Sequence, residues 1–66
     1  MKANKKALLL AMARACVGRK EISEKAGMPE MTVKNVLDGR SVRPATLGKV
    51  ARALGVDPLE IMQQEE

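Results

Sequence analysis

Apolar positions along this chain fall in short runs at helical spacing, most of them opened by a proline or closed by a glycine. The first run, Ala7 to Val17, is broken only by Arg14. Within it Leu9, Met12, Ala13 and Cys16 recur at i, i+3, i+4 and i+7, the stripe of an amphipathic helix that ends near Val17 and Gly18. "GRKEISEKAG" predicts a second helix of barely two turns. Gly18 is its N-cap, Glu21 stands at the third helical position where its charge favours the exposed N–H groups, and Gly27 stops it. "PEMTVKNVLDG" predicts a third over 29–38, with Pro29 near its start and Gly39 at its end. After "RSVR", Pro44 opens a fourth, "PATLGKVARALG", whose Leu47, Val50, Ala51 and Leu54 form a second stripe and which Gly55 closes. A fifth follows in "DPLEIMQ". Asp57 as N-cap, Pro58 at the first helical position and Glu60 at the third make a full start signal, with Leu59, Ile61 and Met62 as apolar cover. No alternating strand pattern, repeat or linker is visible. The expected fold is therefore all-α, five short helices in a single domain over residues 1–66.

The opening stretch, "MKANKKALLLAMARAC", also has the outline of an export signal, with lysines ahead of an apolar run. Length weighs against that reading. The chain has 66 residues, and one of that size buries only roughly 60% of the surface exposed by its unfolded form. Cutting at Cys16 would leave too little to fold without a staple, and Cys16 is the only cysteine in a sequence with no histidine. Disulfide scaffolds and His/Cys zinc sites are thus excluded for the single chain, and a lone thiol fits a reducing compartment. Arg14, two residues before Cys16, is also wrong for the small-residue cleavage site of a signal peptide. The run is expected to be the first helix of a cytoplasmic protein, with Cys16 in the core.

Charge is distributed unevenly. Residues 1–20 carry Lys2, Lys5, Lys6, Arg14, Arg19 and Lys20 and no acid, whereas residues 57–66 carry only Asp57, Glu60, Glu65 and Glu66. A basic N-terminal part and an acidic tail, within a net charge of +4, fit one face that meets a polyanion and one end that does not. Ordinary solvated surface on a small domain would account for the same balance.

The window Arg19 to Asp38 is the most specific. It places small Ser23 inside one helix, Gly27 at the turn, Met28 just after it, and Val33 and Val36 inward on the next helix. Ser23 lets the helices approach, Gly27 takes a turn conformation costly for a residue with Cβ, and Ile22, Met28, Val33, Val36 and Leu37 fill the wedge. That spacing resembles a helix-turn-helix over 19–38. The stretch "ISEKAGMPEMTVKNVLDGRSVRPATLGKVARALGVDPLEIM" resembles the lambda-repressor-like, Xre/Cro-type DNA-binding domain. Its landmarks are Asp38-Gly39, Pro44, Thr46-Leu47, Lys49-Val50-Ala51, Ala53-Leu54-Gly55-Val56 and Leu59. The resemblance is close over 19–62 and looser over the first helix.

Three departures stand out. Members of that family usually begin the second helix with glutamine, where this chain has Arg19; they cap the third with Ser or Thr, where it has Pro29. Many also pair an arginine in the first helix with a glutamate near the end of the third, where this chain has Met12 and Leu37, a buried ion pair replaced by apolar contact.

The resemblance makes the third helix the recognition helix. At about 100° per residue, Val33, Val36 and Leu37 share one side of it while Met31, Lys34 and Asn35 point away, with Glu30 at its start. These four are the expected base readers: Asn35 for adenine, Lys34 for guanine, Glu30 for a cytosine amino group, Met31 for a thymine methyl. Each also has a plainer role. Glu30 is a common helix-start acid, Lys34 suits phosphate alone, Met31 would cap the core, and Asn35 would be surface. Phosphate contacts are expected from Arg19, which adds a fork of donors to a helix N-terminus, from Thr32, and from the loop residues Arg40, Ser41 and Arg43.

Catalysis is not expected, since without histidine, tyrosine or a partner for Cys16 no acid–base pair or activated nucleophile stands out. No cofactor or metal is called for. The resemblance implies a small transcriptional repressor that occupies double-stranded DNA as a homodimer; one recognition helix reads only a few base pairs, and the surface left over for dimer contact is helix 5 with Leu59 and Met62. The rival reading is an interaction module: an antitoxin that uses the same fold both to bind operator DNA and to neutralise a toxin partner, or an anti-activator that binds protein only.

Overall fold

The computed structural model describes residues 1–63 as five helices joined by short turns: α1 (Lys5–Ala15), α2 (Arg19–Ala26), α3 (Glu30–Leu37), α4 (Pro44–Leu54) and α5 (Pro58–Ile61). No strand occurs among the described residues, so the fold is all-α, and each expected helix is present with its ends trimmed by a residue or two. Glu65 and Glu66 lie outside the described residues. No described helix is long and apolar enough to cross a membrane.

The local start and stop signals account for these boundaries. Asn4 opens α1 by accepting the Ala7 N–H on Oδ1 at 3.2 Å, and Asp57 opens α5 by accepting the Leu59 N–H at 2.9 Å. Glu60 completes the α5 cap by accepting the Asp57 N–H at 3.1 Å. Pro29 caps α3 with no side-chain bond, as its ring requires. Gly27 ends α2 at φ +67°, a conformation that disfavours any residue with Cβ.

Among the described residues, eleven buried apolar ones make one core. The α4 stripe supplies Leu47, Val50, Ala51 and Leu54, and α4 packs against α1, α2 and α5. Ile22, Val33 and Val36 are buried between α2 and α3 as expected, with Met28 and Leu37 packed half-buried beside them. Met12, on α1, also packs half-buried against the core. Ser23 does more than admit its neighbour. Its hydroxyl donates to the Met28 carbonyl at 2.6 Å and ties the turn to α2.

Two expectations fail. On α1 the inward residues are Leu8 and Ala11, while Leu9 is 59% and Leu10 53% exposed and Ala13 and Cys16 face solvent. The run Ala7 to Ala13 is apolar throughout, so it offers overlapping stripes, and packing on α3, α4 and α5 selects the one through Leu8. Cys16 is not in the core; it is the C-cap, at φ +56°. The Val17 N–H reaches back to the Met12 carbonyl at 3.1 Å, which closes the helix two residues earlier than expected. On α5, Leu59 is 64% exposed because a single turn has only one inward side, and Ile61 fills it.

Residues 1–4 form a strap that the sequence did not announce. Ala3 is buried and bridges Met62 in antiparallel fashion, the Asn4 N–H donates to the Ile61 carbonyl at 2.7 Å, and the Gln63 N–H to that of Lys2 at 2.8 Å. At its other end the Met1 amino group donates to the Val42 carbonyl at 2.8 Å, and the Val42 N–H returns a bond to the Met1 carbonyl at 2.6 Å.

Candidate nucleic-acid interface

Val33 and Val36 anchor α3 to the core, so the opposite side of that helix is turned outward by construction. There Glu30 and Lys34 are exposed and Met31 is 67% exposed, while Asn35 and Thr32 lie half-buried on the flank. Arg19, at the start of α2, comes beside the start of α3. Its Nε stands 3.7 Å from Glu30 Oε1, both side chains being about half exposed. Arg19, Glu30, Met31 and Lys34 line one shallow depression.

Four of the nine expected contact residues therefore meet at one place. An exposed ion pair of this kind is worth about 0–1 kcal/mol, so Arg19 and Glu30 remain available to a ligand. At the α2 N-terminus Glu21 accepts the Gly18 N–H at 2.7 Å, and the Arg19 side chain beside it stays about half exposed.

Arg40, Ser41 and Arg43 lie past the other end of α3, whose eight residues span about 12 Å. All three are exposed. Their loop is held by the Arg40 N–H bonded to the Asn35 carbonyl at 3.1 Å, by the Met1–Val42 pair, and by Arg43 as the N-cap of α4. Cations thus flank both ends of α3. No family model matches the chain, and no curated protein or solved structure matches it either. The site is read from its own chemistry.

Lys5 was missed. Gly39, at φ +77° behind α3, has the Lys5 side chain directly beside it: a Cβ there would meet Lys5 Cε at 3.4 Å. That brings a cation from α1 to the loop of Arg40 and Arg43, and Lys5, Lys6, Asp38 and Gly39 share one depression. No local signal joins residues this far apart in sequence. The Asn4 cap ahead of an apolar run was legible and marks where α1 begins, hence where Lys5 stands.

Proposed function

We propose that this protein is a sequence-specific DNA-binding regulator of the lambda-repressor-like kind, a small repressor acting in the cytoplasm that reads a duplex with the outward side of α3. The observation that carries the reading is the junction of Arg19, Glu30, Met31 and Lys34, with α3 braced from behind by Val33 and Val36. A helix presented this way fits a major groove, where Lys34 and Asn35 donate to base edges, Glu30 accepts from cytosine and Met31 packs on a thymine methyl. Arg19 at one end and Arg40, Ser41 and Arg43 at the other set the register by holding phosphates. Thr32, on the flank of α3, and Lys5, beside the loop of Arg40 and Arg43, are secondary contacts.

One α3 reads only a few base pairs, so useful specificity requires two half-sites about one helical turn apart and a homodimer upon them. On α5, Leu59 is free for that contact, whereas Met62 is half-buried against the N-terminal strap. The deciding experiment is selection from random duplex DNA followed by titration of the recovered motif at several salt concentrations. A short two-fold related motif supports the reading, and recovery of none overturns it. The antitoxin reading keeps this DNA-binding surface and adds a protein-binding one; the exposed Leu9 and Leu10 favour it.

A further inference from the structure

A helix that is apolar on every side is ordinarily covered on every side. Residues Ala7 to Ala13 of α1 carry no polar side chain, yet only Leu8 and Ala11 are buried. The outward face consists of two rows at helical spacing, Lys6–Leu10–Arg14 and Leu9–Ala13–Cys16, every residue of them exposed. Leu9 and Leu10 stand on its two shoulders, and Lys6 and Ala13 lie between them.

Charge and shape narrow what covers it. There is no acid in residues 1–20, and among the described residues Lys5, Lys6 and Arg14 have no carboxylate within ion-pair distance. Laying α1 against α1 of a second copy would set cations on cations. The patch is also one helix wide and about 16 Å long, far short of the roughly 800 Å² per partner that a stable homodimer buries. A lipid surface calls for a broad apolar face with cations on the opposite side, whereas here Lys6 stands within the apolar face. The low saddle over Ala13 between two leucines accepts the ridge of a single helix. Lys6 and Arg14, two turns and about 12 Å apart, mark where that helix must carry acids.

We propose that the outward face of α1, made by Lys6, Leu9, Leu10, Ala13 and Arg14, docks an amphipathic helix of a partner protein whose leucine-type stripe is flanked by acids two turns apart. This surface stands on α1 alone and does not rest on the DNA-binding reading.

Two synthetic helical peptides with the same leucine stripe test it, one with glutamates and one with lysines at the flanking positions. Their binding to the full chain is followed by amide chemical shifts. The glutamate peptide should saturate with shifts centred on Leu9, Leu10 and Ala13 and should weaken as salt rises. The double variant L9Q/L10Q should bind it about tenfold or more weakly, since two apolar contacts are lost. Because both leucines are exposed, that variant should keep the thermal melt and any selected DNA motif unchanged. Equal binding of the lysine peptide, no binding of the glutamate peptide, or shifts centred elsewhere would overturn the proposal. So would tighter capture by phosphatidylserine vesicles, or self-association of the wild-type chain that L9Q/L10Q abolishes.

Discussion

Cys16 shows how a single residue can be misread from its neighbours. Its place at i+7 of an apolar stripe points inward, but it is the residue after the last turn of α1, held at φ +56° by the helix-closing bonds. A left-handed conformation costs a residue with Cβ about 1–2 kcal/mol, part of which glycine returns as unfolded-state entropy. Cys16→Gly should therefore stabilise the fold by about 0.5–1 kcal/mol in a thermal or urea melt. Cys16→Ser should be close to neutral, and iodoacetamide should label the native thiol rapidly, because Cys16 is exposed. Ser23 is the opposite case, since its hydroxyl bond to Met28 is internal. Ser23→Ala should cost about 0.5–1.5 kcal/mol by the same melts. At the candidate interface, residues assigned to phosphates and to bases separate by their salt dependence. Arg43→Ala should weaken binding to all duplexes alike and lower the salt slope by about one unit. Asn35→Ala should leave the slope unchanged and relax choice at one base pair by roughly 1–3 kcal/mol. Half-burial of Asn35 makes this the stricter trial, and equal weakening on every operator would remove it from the base readers.

At the scale of elements, α4 was the most legible because its stripe runs through a helix with polar residues on the other side, and four of its residues are buried as the spacing required. Leu47→Ala should cost about 2–5 kcal/mol, a large share of the stability of so small a domain, and a urea titration should find little folded protein at the upper end of that range. α5 was equally legible at its start, where Asp57, Pro58 and Glu60 act as the signal demands, but not in its inward side. One turn is too short for periodicity to select between Leu59 and Ile61. For α1 the difficulty was an excess of apolar residues, which left the element certain and its rotation open. At the α2 N-terminus Glu21 acts as its place at the third helical position requires, its carboxylate accepting the Gly18 N–H.

In the molecule as a whole, residues 1–4 join three places that are remote in sequence: the end of α5, the start of α1 and the loop that carries Arg40 and Arg43. The strap fixes that loop from behind while leaving its arginines exposed. Ala3→Lys would force a charge into a position that is 4% exposed. It should lower the melting temperature and speed hydrogen exchange at the Asn4, Val42 and Gln63 amides together. Faster exchange at one alone would mean that the strap is not a single unit. If the loop positions phosphates, the same variant should also weaken duplex binding without changing its sequence preference.

Five helices, their order, the α4 stripe and the outward side of α3 were decided by the sequence, because caps, proline and glycine positions and helical spacing act within a turn or two of where they stand. The rotation of α1, the N-terminal strap, the approach of Lys5 to Gly39 and the Arg19–Glu30 pair were decided only by tertiary structure. They depend on residues 11 to 61 positions apart, between which no local spacing carries a signal. An all-apolar run allows several rotations of similar intrinsic preference, and only the neighbours it packs against can select one.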